Sequence, residues 1–185
     1  MRRRDFLKQT GGAVCSSLLI SNALTRRFLP KSYPVGLQLY TFFNQIDADV
    51  NGTLKRIAGI GYKEIESAFS KKGGYYGMGP KEFSKLVSDL GMSWKSHHVL
   101  GAPYQRPANA KPITDANGHP IQIPPMRNLK ENMEELIDEI AEAGIPYLVC
   151  ASIPTKTLDE TKNSIEILNK TGEAYKKAQI VLAYH

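Results

Sequence analysis

Cysteine is scarce: the 185 residues hold two, Cys15 and Cys150. A disulfide framework is therefore excluded as the source of stability, and the fold must rest on a packed core. Cys150 lies in an apolar run and reads as a core thiol rather than a nucleophile. No Gly-x-Gly-x-x-Gly follows the first predicted strand, and no phosphate-binding loop occurs anywhere, which weighs against a nucleotide-binding sheet. Long apolar runs are also missing. The longest mostly apolar stretch, Gly11 to Leu24, is too short and too rich in Gly and Ser to span a membrane. Excess charge of one sign is nearly absent as well. The formal charge is +6, from 24 basic and 18 acidic residues. Without the first 23 residues it falls to +3, too even a balance to indicate a nucleic-acid partner.

Those first residues carry an address. Arg3-Arg4-Asp5-Phe6-Leu7-Lys8 resembles the twin-arginine export motif, an apolar stretch follows, and Ser21-Asn22-Ala23 is a small-x-small cleavage site. Residues 1–23 are thus expected to be a signal peptide and 24–33 a linker. The export machinery is then a partner and the periplasm the destination, with no stable membrane anchor. The alternative is a merely basic N-terminus.

From residue 34 the chain alternates strand and helix patterns. Val35–Thr41, Tyr62–Glu66, Met92–Val99, Pro146–Cys150 and Ile180–Tyr184 have the length and β-rich composition of buried strands. Between them lie helical patterns. Leu54, Ile57 and Ala58 share one face, and Phe83, Leu86, Val87 and Leu90 another. Leu129, Met133, Leu136, Ile137 and Ile140 form a third stripe. The fourth carries Ile165, Leu168, Tyr175 and Ala178. Gly61, Gly91 and Gly144 stand where helices end. Asn128 with Glu131, and Thr157 with Glu160, read as capping boxes. Strands joined by helices must run parallel, which gives an α/β domain of five strands and four helices. Alternation alone does not separate a barrel from a doubly wound sheet. Residues 101–127, with six prolines, read as a long loop with a turn at Asn117-Gly118, of the kind that covers or builds a binding site.

Gly36-Leu37-Gln38-Leu39-Tyr40-Thr41, Gly61-Tyr62-Lys63-Glu64-Ile65-Glu66, Ser96-His97-His98-Val99, Asn128-Leu129-Lys130-Glu131-Asn132, Gly144-Ile145-Pro146-Tyr147 and Ala183-Tyr184-His185 together resemble the sugar phosphate isomerase/epimerase family with a xylose isomerase-like TIM barrel. The resemblance covers nearly all of 34–185. It implies a (β/α)8 barrel of which about four βα units and a fifth strand are present. It also implies a sugar or polyol substrate and a divalent metal (Mn, Mg, Co or Zn), with proton transfer next to a carbonyl through an enediolate. The metal ligands and remaining strands are expected beyond His185, so no metal ligand is assigned here. Such a partial barrel has unpaired edge strands, and self-association into a homo-oligomer is one expectation from them. A non-catalytic carbohydrate-binding protein and an inactive fragment are the rival readings.

Polar residues at the C-terminal ends of barrel strands are the candidates. Glu66 and His98 are the candidate catalytic pair. The rival reading of Glu66 is an ion pair with Lys63 or Lys95. Tyr40, Thr41, Trp94 and His185 are candidate substrate contacts, against rim packing for the first two, core packing for Trp94 and a frayed end for His185. Strand alternation puts Trp94 on the inner face with His98 and turns His97 toward the helices. Tyr75-Tyr76, in a Gly-rich loop, read as a sugar-covering pair.

Overall fold

The computed structural model describes residues 33–106, 109–112, 117, 119–120 and 124–185. The expected signal peptide, nearly all of the linker, and Gly118 of the expected turn together with residues 113–116 and 121–123 around it lie outside the described residues. Among the described residues, no helix is long and apolar enough to cross a membrane.

Val35–His185 forms one compact unit. Its strands are β1 (Gly36–Gln38), β2 (Glu64–Ser67), β3 (Ser93–Leu100), β4 (Tyr147–Ser152) and β5 (Val181–Tyr184). They pair in parallel in the order β1-β2-β3-β4-β5. Each strand lies beside its sequence neighbour, and the sheet never reverses direction. That order is the one a (β/α)8 barrel uses, and it excludes a doubly wound sheet, whose strand order turns back at a switch point. The helices are α1 (Phe43–Ala48), α2 (Val50–Ile60), α3 (Pro80–Asp89), α4 (Leu129–Ala143) and α5 (Leu158–Lys177).

The helix ends follow from local chemistry. Thr157 closes a full capping box with Glu160 at the start of α5. Asn128 accepts from the Glu131 backbone N–H at the start of α4, but its own backbone N–H goes to the Asn132 side chain, and Glu131 accepts from the Asn128 Nδ2–H instead. Gly144 ends α4 at φ +70°, a conformation that costs glycine little. In α5 the inward stripe runs through Ser164, Thr171 and Tyr175, while Ile165, expected on that stripe, is exposed.

The core lies between the sheet and its helices. Ile65, Trp94, Val99, Leu148 and Cys150 point from the strands toward Leu54, Phe83, Leu136, Ile140 and Tyr175. Burial pushes the Cys150 thiol up to about 11, so it is an inert packing group. Trp94 stands edge-on to Tyr75 and Phe83, each with ring centroids 4.8 Å away. Tyr75 and Tyr76 are therefore core residues: both are buried, with Tyr76 Oη accepting the Ala68 N–H. The sugar-covering reading of this pair is corrected, because the positive φ of Gly73, Gly74 and Tyr76 folds the loop back onto α3 and turns both rings inward.

At the end of β3, Gly101 donates its N–H to Ser152 O at 2.7 Å. A Cβ on Gly101 would come within 2.5 Å of the Ile153 side chain. Gly101→Ala is expected to lower the unfolding free energy by about 1–3 kcal/mol, the usual effect of overpacking. Urea unfolding measures it, and an unchanged midpoint would mean that the loop after β4 is not seated on β3.

Candidate active site at the C-terminal rim

Across β1, β2 and β3 the face of the sheet turned away from the helices is polar. Gln38, Glu66, Ser96 and His98 rise from three adjacent strands, aligned by the register Gln38–Glu66–Ser96. Glu66 holds the centre. Gln38 Nε2 donates to its Oε1, and Ser96 Oγ donates to its Oε2, both at 2.5 Å. These two neutral donors fix the carboxylate in one orientation. Lys95 pairs with Glu64 instead, at 3.5 Å, so the ion-pair reading applies to Glu64 and not to Glu66.

His98 faces His185 across the end of β4. Their Nε2 atoms lie 2.7 Å apart and the rings are nearly parallel. At that distance one nitrogen must donate and the other accept, so the pair holds one proton between the two Nε2 atoms. Burial lowers the His98 pKa, Glu66 partly offsets this, and His185 lowers it further. His98 is thus neutral near pH 7 and able to take up a proton.

Two of the expected substrate contacts sit differently. β1 ends at Gln38, and Leu39–Phe42 forms a single 3-10 turn that carries Tyr40 and Thr41. Tyr40 lines the rim cavity; Thr41 is exposed and does not. Trp94 is not on the inner face. β3 carries one extra residue, Lys95, where Ile65 pairs with Trp94 but Glu66 pairs with Ser96. This bulge breaks the alternation, so Trp94 shares the helix side with His97. Trp94 Nε1 donates to Ser67 Oγ at 2.8 Å and to Ser96 O at 2.9 Å.

A cavity of about 400 Å³ opens at the C-terminal ends of the strands, with Tyr40, His97, His98, Tyr104, Met126 and Arg127 among its lining residues. Arg127 forms an ion pair with Glu139 of α4 and lies 5.0 Å from the centre of the Tyr75 ring. Burial works to lower the Arg127 pKa, but Tyr75 and Glu139 outweigh it and hold the guanidinium above its ordinary value. Gln38, Ser96 and Arg127 were not among the candidates read from the sequence, and His97 was read there only as facing the helices. The same-face spacing of Gln38 with Tyr40 and of Ser96 with His98 was the available signal for the first two. Arg127, at the end of a proline-rich segment, offered none.

The residues present do not complete a site for the implied divalent metal. Among the described residues, no three His, Cys, Asp or Glu side chains converge. Two imidazoles meet, one fewer than the three protein ligands of a catalytic zinc site. No chemical step is therefore derived through a metal.

Fold and rim together define a partial (β/α)8 barrel of the xylose isomerase-like type, with its polar groups at the C-terminal ends of the strands. Solved structures agree. A sugar phosphate isomerase/epimerase from Parabacteroides distasonis is similar at 26% identity and a TM-score of 0.56, over 85% of this chain and 52% of that one. A xylose isomerase domain containing protein from Salmonella typhimurium matches with a TM-score of 0.55 at 8% identity, over 80% and 47%. An AP endonuclease, family 2, from Brucella melitensis gives 0.55 at 14% identity, over 82% and 55%. The last two share the fold alone. The chain spans about half the length of these structures. No family profile and no curated protein matches the sequence.

Proposed function

We propose that this chain binds a sugar or polyol at the rim and supplies acid–base groups for proton transfer next to a carbonyl, the chemistry of a sugar isomerase or epimerase. The observation that carries this reading is the Glu66 carboxylate, oriented by Gln38 and Ser96, beside a neutral His98 that shares a proton with His185. In this reading Glu66 accepts a substrate hydroxyl. The His98–His185 pair takes the proton from the carbon next to the carbonyl and returns it to the neighbouring position. Export by the twin-arginine route to the periplasm belongs to the same proposal and rests on residues 1–23. Self-association into a homo-oligomer is part of the proposal as well and rests on the edge strands β1 and β5.

The test is solvent exchange. The protein, incubated in deuterium oxide with a panel of ketoses and aldoses and a divalent cation, is expected to place deuterium next to the carbonyl of at least one sugar. His98→Gln and Glu66→Gln are each expected to slow this about 100-fold. No exchange with any sugar would sink the catalytic reading. The convergence of only two metal-ligating groups favours a second reading, a non-catalytic carbohydrate-binding protein. Sugar binding that a chelator leaves unchanged, without exchange, would establish it.

A further inference from the structure

The rim cavity is a poor match for a bare sugar. Its walls include Phe69, Val99, Leu100, Tyr104, Pro125 and Met126. A sugar carries hydroxyls on all sides, and each one buried without a partner costs free energy. The strongest charge on the wall, Arg127, is already neutralised by Glu139. Apart from the solvent-exposed hydroxyls of Tyr40 and Tyr104, what remains is one buried donor, and the hydrogen bonds behind it define it.

Trp94 Nε1 can only donate, so Ser67 Oγ accepts from it at 2.8 Å. The Ser67 hydroxyl proton is then directed to the near acceptor, His97 Nδ1 at 2.8 Å, rather than to Ser96 O at 3.5 Å. With Nδ1 accepting, neutral His97 carries its proton on Nε2. Burial keeps the ring neutral by lowering its pKa to about 3. Nε2 has no hydrogen-bond partner among the described residues, and His97 lines the cavity. His97 thus presents a fixed N–H at the wall of an apolar chamber that also touches His98.

We propose, resting on the sugar-binding reading above, that the ligand is a sugar bearing a neutral, mainly aromatic substituent, as in an aryl glycoside. The sugar occupies the inner face at Glu66 and His98. The substituent fills the rim cavity, where His97 Nε2–H donates to an acceptor oxygen on it. His97 is then a specificity-determining residue for the substituent, not an acid–base group. A phosphate group is disfavoured, because among the described lining residues no cation lacks a carboxylate partner.

Calorimetry with the full chain tests this, using matched methyl and 4-acetylphenyl β-glycosides of D-glucose, D-galactose and D-xylose. For at least one sugar the 4-acetylphenyl glycoside is expected to bind at least about tenfold tighter. His97→Phe keeps the ring packed on Tyr75 and removes the donor. It is expected to erase about tenfold of that gain and leave methyl-glycoside affinity unchanged, which also checks its folding. His97→Gln places an amide N–H near the Nε2 position and is expected to stay within about threefold of the parent. Long-range proton–nitrogen NMR should show Nε2 protonated and Nδ1 bare, and Ser67→Ala should convert this to a mixture of tautomers. Equal affinity for the paired glycosides, or a His97→Phe variant like the parent, overturns the inference and leaves the sugar reading intact. Binding of 4-hydroxyacetophenone as tight as its glycosides overturns the sugar reading. No binding of any probe overturns both.

Discussion

Glu139→Leu is expected to lower the unfolding free energy by about 3 kcal/mol. Glu139 and Arg127 are each only about a fifth exposed. Tyr75 Oη donates to Glu139 Oε2 at 2.8 Å, and the Arg127 guanidinium lies over the Tyr75 ring. The buried Tyr75 hydroxyl has its pKa raised, by burial first, against the opposing charge of Arg127. Removing the carboxylate leaves a cation under the cavity floor without its counter-charge, and Tyr75 loses its acceptor. Tyr175 Oη, buried nearby without a hydrogen-bond partner among the described residues, offers only an uncharged substitute. Replacing both partners removes the uncompensated charge, so Arg127→Met with Glu139→Leu is expected to be less destabilised than the two single changes added together. Urea unfolding of the four proteins measures the coupling. Strict additivity would show that the ion pair does not hold residues 124–127 against α4.

The second large effect is on acid stability. His97 is 3% exposed, and its pKa falls from 6.5 to about 3 on folding, through burial first and then the charges of Arg127 and His98. The unfolded chain therefore binds this proton more readily than the folded one between those values. The stabilisation is fully present above about pH 6.5 and is lost as pH falls toward 3, at up to about 1.4 kcal/mol per pH unit. Between pH 7.5 and 4.5 the parent protein is expected to lose about 2–3 kcal/mol more than His97→Gln, whose side chain does not titrate. Unfolding curves at both pH values give this difference directly, and the carboxylates common to both proteins largely cancel. Equal losses would mean that the folded protein accommodates a protonated His97.

Much of the architecture was legible because it is written in local chemistry. Asn128, Thr157, Gly61 and Gly144 mark helix ends by capping and by positive φ, and the strands stand out as short β-rich runs between helical stripes. The barrel-type strand order was not legible from alternation alone; it needed the pairing of neighbours to be seen. The site was read in part. Glu66, His98 and His185 were found at strand ends, and the structure brings the two histidines into contact. Tyr40 and Thr41 were placed one turn too far along a strand, because nothing in Leu39–Phe42 announces a 3-10 turn. Tyr75 and Tyr76 looked like loop aromatics, since the loop that buries them owes its shape to backbone turns rather than to an apolar pattern. Trp94 was assigned by alternation from His98, and alternation fails where one strand carries a residue that its neighbour does not match; His97, on the same side of that residue as His98, faces the helices as expected.

That unmatched residue bears on how relatives of this chain should be compared. Lys95 is one position more than β2 requires, and both flanks keep regular pairing around it. A homologue with a regular third strand would lack it. Aligned without a gap, such a sequence would set its residues one step out of phase after Trp94. Its counterpart of His98 would fall opposite His97, and a side chain on the inner face of the sheet would be compared with one facing the helices. A one-residue gap at Lys95 restores the correspondence, and whether Glu66, Ser96 and His98 persist as a set is readable only after that gap is placed.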